Sequence, residues 1–91
     1  MLAAVKLALR ITTDAFDDEI TNLINDCLAE MAALGVIIPE DPEDNAQILT
    51  TVIAYCKWLF GENDQEDKWR AVYDRKLSQF KTMTGYTDWG N

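Results

Sequence analysis

Residues 41–61 read DPEDNAQILTTVIAYCKWLFG. Asp41 is placed to cap a helix, Pro42 suits the first helical position, and Glu43 and Asp44 put negative charge in the first turn. Gly61 predicts the stop. Between these signals Ile48, Leu49, Val52, Ile53, Cys56, Leu59 and Phe60 recur at three- and four-residue steps, the period of one helix face. The opposite side holds Thr50, Thr51, Ala54 and Trp58, with only Gln47 and Lys57 strongly polar. A helix apolar nearly all round is surrounded by other elements. This segment is therefore the expected central helix, with Trp58 facing another helix or another subunit.

The flanking sequence supplies what would surround it. Upstream, Phe16, Ile20, Leu23, Ile24, Cys27, Leu28, Met31 and Leu34 form one broad stripe. Thr13 or Asp14 is the expected cap, and Asp17, Asp18 and Glu19 fill the first turn. Gly35 is the residue type that closes a helix in the left-handed conformation. Val36-Ile37-Ile38-Pro39 reads as a short connector packing onto the core. A first short helix is expected over about residues 2–10, with Leu2, Val5 and Leu9 on one side. Downstream, Trp69, Val72, Tyr73, Leu77, Phe80 and Met83 mark a helix starting near Asp64 and ending at Gly85, with Lys76 inside its apolar arc and reaching outward along its stem. No alternating run suggests a strand. The expected fold is all-α, a small bundle of about four helices around a central, nearly all-apolar third helix. It forms one helical domain over residues 1–81, followed by a C-terminal tail at 82–91.

Composition limits the chemistry. The 91 residues are one domain's worth, and a domain of that size buries only roughly 60–65% of its unfolded surface, so it gains from oligomerisation. Sixteen acids stand against eight bases, a net charge of −8, which makes a poor general binder of phosphate backbones. No apolar run approaches the ~20 residues of a membrane span, and the apolar start lacks the basic residues and cleavage site of a signal peptide. There is no histidine, which removes the commonest general base and zinc ligand. Cys27 and Cys56 fall within apolar helical stripes and read as reduced core residues, although a disulfide between packed helices stays open. Four scattered glycines make no phosphate-cradling loop.

Three acidic clusters, Asp14–Glu19, Glu40–Asp44 and Glu62–Asp67, invite a calcium reading. An EF-hand loop needs glycine at its sixth position; the sixth residues here are Glu19, Ala46 and Trp69. Each cluster lies at an expected helix start, where carboxylates satisfy free N–H groups and the helix dipole. No metal, cofactor or catalytic residue is expected.

The charge is uneven. Residues 1–67 carry fourteen acids and three bases, residues 68–91 five bases and two acids. Lys68 and Arg75, seven apart, share one face of the last helix. They are either a solvated face or a surface that meets the acidic helix starts of another copy. Tyr86 and Trp89 follow the last helix and are candidate anchors in an interface, unless they fold back on their own domain.

Taken together, VKLALRITTDAFDDEITNLINDCLAEM (5–31), DPEDNAQILTTVIAYCKWLFG (41–61) and WRAVYDRKLSQF (69–80) resemble the small head–tail connector proteins of tailed bacteriophages, also described as head-completion or DNA-packaging adaptor proteins. The most specific parts are the LRIT…DDEI opening and the Asp-Pro start leading to AYCKWLFG. The resemblance implies a non-enzymatic helical protein at the head–tail junction of the virion, assembled in the host cytoplasm. It implies a ring of copies, commonly dodecameric, beneath the portal protein, which extends the DNA channel and docks a stopper or tail-completion protein. DNA would pass without sequence-specific binding, and no membrane is involved. Acidic subunits suit such a conduit, because they repel phosphates. The competing reading is a small acidic DNA mimic that inhibits a nucleic-acid-binding host protein. Mimicry wants carboxylates spaced along one surface like phosphates, whereas these cluster at helix starts beside a basic last helix.

Overall fold

A computed structural model describes residues 1–60 and 65–82. It contains α1 (Leu2–Leu9), α2 (Asp17–Ala33), a 3₁₀ turn (Pro42–Asp44), α3 (Ala46–Phe60) and α4 (Glu66–Thr82). The expected all-α bundle is what forms, and α3 is its centre, touching α1, α2, α4 and the 3₁₀ turn. Gly61, Asp64, Gly85 and the aromatic tail carrying Tyr86 and Trp89 lie outside the described residues.

Helix ends follow local chemistry, with two departures from the expected caps. The α2 helix begins later than Thr13 or Asp14. Its N-cap is Phe16, without a side-chain cap bond. Thr13 Oγ1 instead accepts from the Ala15 N–H at 3.2 Å, and the Asp14 carbonyl accepts from the Asp17 N–H at 3.2 Å. Those two bonds make a turn that delivers the chain to the helix. At the other end Gly35 has φ 95°, and the N–H groups of Gly35 and Val36 return to the carbonyls of Ala32 and Met31 at 3.0 Å each. The left-handed closure expected of this glycine is present.

The central helix starts at Asn45 rather than Asp41. Asn45 Oδ1 accepts from the backbone N–H of Gln47 at 3.0 Å and of Ile48 at 3.1 Å, and the Asp41–Asp44 stretch closes as a separate 3₁₀ turn. Asp41 and Pro42 are good start signals, and they do start a turn. Asn45 then adopts an extended backbone, φ −99° and ψ 110°, which ends that turn and aims its amide oxygen at the next one. Asn45→Ala should therefore lower stability by about 1 kcal/mol in denaturant melts, with Asp41→Ala costing distinctly less. Equal losses would contradict this assignment of the cap.

The core is assembled from all four helices. Val5, Ile20, Ile24, Cys27, Met31, Ile48, Val52, Cys56, Tyr73 and Phe80 are buried. Thr51 is the one buried polar side chain among the described residues; its hydroxyl donates to the Gln47 carbonyl at 2.7 Å, so its burial leaves no donor unmatched. Cys27 and Cys56 are buried free thiols. Lys76 is half-buried, and its ammonium donates to Gln47 Oε1 at 3.1 Å. The connector packs down only in part. Val36 is buried and Ile38 packs on the core, while Ile37 between them is 47% exposed. Extended chain alternates sides, so anchoring both neighbours turns Ile37 outward.

Candidate functional site

The surfaces able to act are contact surfaces, and they concentrate where helices meet. The first lies between α3 and α4. The Tyr55 ring packs edge-on against Trp58 at 5.8 Å and tilted against Tyr73 at 5.0 Å, and Trp58 lies 6.0 Å from Tyr73. The Arg70 guanidinium sits 5.6 Å from the Trp58 ring. Trp58 thus faces another helix of its own chain and keeps part of its surface in solvent. Beneath it, the Tyr73 hydroxyl donates to Glu30 Oε1 at 3.0 Å, tying α4 to α2. Burial, with the Glu30 carboxylate accepting its proton in a hydrogen bond, pushes the Tyr73 phenol far above its usual range. Burial also pushes the Cys27 and Cys56 thiols up to about 12. Such thiols are structural rather than reactive.

The second surface is an open groove of about 710 Å³ where α1 ends, α2 begins, α3 ends and α4 begins. Among the described residues its walls include Leu9, Ile11, Phe16, Phe60 and Trp69, with Arg10 and Lys57 as cations and Glu19 as the one carboxylate. Phe16 and Phe60 hold each other edge-on at 5.4 Å. Trp69 carries two ammonium groups near its ring, Lys57 at 4.4 Å and Lys68 at 5.2 Å. Arg10 stands at φ 60° and ψ 39°, a left-handed conformation costly for a non-glycine residue. It closes α1, its N–H bonding to the Leu7 carbonyl at 3.1 Å while the Ile11 N–H reaches the Lys6 carbonyl at 2.9 Å. Lys6 pins the following turn, its ammonium 2.7 Å from Asp17 and 3.1 Å from Asp14. Hydrogen bonds to those two carboxylates hold its pKa above the ordinary lysine value.

Two further apolar features face solvent. Leu7 on α1 is 80% exposed, and Ile37 stands out from the connector. Of the residues singled out in the sequence, Lys68 is exposed with its ammonium by the Trp69 ring, and Arg75 is exposed further along α4. Tyr86 and Trp89 lie outside the described residues. The groove itself was not visible in the sequence, because Arg10, Phe16, Lys57 and Trp69 come from four helix ends. The only signals were two aromatics, Phe16 and Trp69, each at the edge of a helical stripe.

Among the described residues no three His, Cys, Asp or Glu side chains come together to hold a metal, and no helix is long and apolar enough to cross a membrane. No curated protein and no solved structure matches the chain. A family model described as phage connector protein matches residues 1–84. That span takes in all four helices, the α3–α4 aromatic cluster and the groove, so the shared pattern is the whole helical frame rather than a local motif. The chain belongs to the phage connector protein family.

Proposed function

We propose that this chain is a structural head–tail connector subunit that assembles with copies of itself as a ring, dodecameric on the portal, beneath the portal protein of a filled capsid. The ring extends the DNA channel and presents a docking surface to a stopper or tail-completion protein. The observation that carries this reading is the family match along residues 1–84. It is supported by a small bundle that leaves Leu7, Phe16, Ile37 and Leu59 exposed, apolar surface of the kind neighbours cover. Lys68 and Arg75 on α4, Trp58 at its edge, and Tyr86 and Trp89 beyond the helix are the residues assigned to subunit or partner contacts. The net charge of −8 suits a conduit through which DNA slides without being gripped.

The test is the mass of the purified protein over a concentration range, alone and with the portal protein of the same phage, followed by imaging of the complex. Ring particles on the portal, with a lumen lined mainly by Asp and Glu, are expected. A strict monomer under both conditions would overturn the ring, and a strongly basic lumen would overturn the passive conduit.

A further inference from the structure

The two ends of the bundle carry unlike surfaces. Pairing of Met1 with Glu43, whose nitrogen and Oε2 lie 2.8 Å apart, puts the start of α1 beside the connector between α2 and α3. The groove lies at the opposite end, where α1 and α3 finish and α2 and α4 begin. Residues 34–45 of the connector contain four acids and no base; Glu40, Asp41, Glu43 and Asp44 are all exposed. Ile37 projects from the same segment, held out by the anchoring of Val36 and Ile38. Pro39 and Pro42 restrict the backbone around it, so little conformational freedom is left to lose on docking.

The groove has the complementary chemistry. Apolar walls from Phe16, Phe60 and Trp69 leave an open volume of about 710 Å³, ample for a branched side chain. Leu59, 47% exposed, stands at its rim. Among the described residues of its lining, two cations, Arg10 and Lys57, stand with one carboxylate, Glu19, and Lys68 adds a third cation by the Trp69 ring. Asp14 and Asp17, the nearest acids on the adjoining turn, are already engaged by Lys6. Exposed Asp18, Glu66 and Asp67 ring the outside of this end. Among the described residues of this end, they leave the groove lining as the stretch where cations outnumber acids.

We infer that the acidic connector of one copy docks into the groove of the next, with Ile37 seated against Phe16, Phe60 and Trp69, and Glu40, Asp41 and Asp44 facing Arg10, Lys57 and Lys68. This rests on the ring reading and names the surfaces that would build the ring. Knob and groove are different patches at opposite ends of one chain, so a copy that docks its knob leaves its own groove open to the next, and the contact propagates from copy to copy and closes as a ring where the rotation allows. The apolar knob supplies affinity, and the charges set direction and register.

The test uses the full chain with two sets of surface substitutions. One reverses the groove, Arg10→Asp with Lys57→Glu; aspartate tolerates the left-handed backbone at position 10. The other reverses the connector, Glu40→Lys with Asp41→Lys and Asp44→Lys. Self-association is read by sedimentation, alone and on the portal, and folding by circular dichroism. Each set alone should weaken association by about tenfold or more while the helical signal persists. An equimolar mixture of the two sets should regain it, since each reversed groove then meets a reversed connector. Ile37→Ala should weaken association without altering the charge pattern. Assembly that survives both reversals, or a mixture that stays dissociated, overturns this contact and leaves the ring standing on another surface. A wild-type chain that stays monomeric alone and on the portal overturns the contact and the ring together.

Discussion

Tyr73→Ala should cost the fold about 3–5 kcal/mol, the usual range for truncating a buried aromatic. A domain of this length has a total stability of about 5–14 kcal/mol, so the variant should be near the edge of unfolding. The physical reason is the number of elements that meet at this side chain. Tyr73 is 1% exposed, lies 5.0 Å from the Tyr55 ring and 6.0 Å from Trp58, and reaches Glu30 across α2 through its hydroxyl. Removing the ring opens a cavity between α3 and α4, the most extensively packed pair of helices in the bundle, and takes from Trp58 its ring contact on α4. Tyr73→Phe separates the contributions. It keeps the packing and deletes the bond to Glu30, which sits at the surface, so about 1 kcal/mol is expected. Chemical denaturation followed by circular dichroism measures both. A Tyr73→Ala variant within about 1 kcal/mol of wild type would show that the α3–α4 packing does not depend on Tyr73.

Alkali should unfold the chain through its buried acids. Burial raises the thiols of Cys27 and Cys56 from an ordinary 9.0 up to about 12, and raises the Tyr73 phenol as well. The sign follows from proton counting. Between about pH 9 and pH 12 the folded chain keeps these protons and the unfolded chain releases them. The unfolded state therefore binds fewer protons there, and stability falls as pH rises. Below pH 9 the contribution is fully present. Each thiol should cost about 1.4 kcal/mol per pH unit across the window, which for the pair amounts to roughly 4 kcal/mol by about pH 10.5. Melting temperatures measured from pH 7 to 11 should be flat at first and then drop steeply, and Cys56→Ala should shallow the drop. A thiol-specific reagent at pH 8 should modify the native chain slowly and the denatured chain at once. Rapid modification of the native chain, or an unchanged alkaline slope in Cys56→Ala, would show that these thiols are not held neutral by the core.

Helix content was legible because it rests on spacing. Ile20, Ile24, Cys27 and Met31 on α2, and Ile48, Val52 and Cys56 on α3, recur at helical steps in the sequence and are buried side by side in the fold. Gly35 announced its own left-handed turn because no other residue adopts it so readily. The cap at Asn45 was not legible. Asp41-Pro42 is the stronger signal when only local preference is weighed, and a four-residue difference in where a helix starts is settled by how the 3₁₀ turn packs on α3. Arg10 also gave no warning, since a left-handed arginine is tolerated only when neighbouring bonds hold it there.

The sequence by itself determined that the chain is a small acidic helical bundle, with a central apolar helix and no catalytic constellation built on histidine. Those properties depend on residue type and on spacing within one helix. The tertiary structure decided which half-apolar residues remain outside. Trp58 could face a subunit or a sister helix by periodicity alone, and the packing of α3 on α4 set its ring beside Tyr73. Ile37 reads like its neighbours Val36 and Ile38, and only the anchoring of both turned it to solvent. The groove joins Arg10, Phe16, Lys57 and Trp69 across nearly sixty positions of chain. No local rule relates residues that far apart; they become neighbours only when the helices close on a common core.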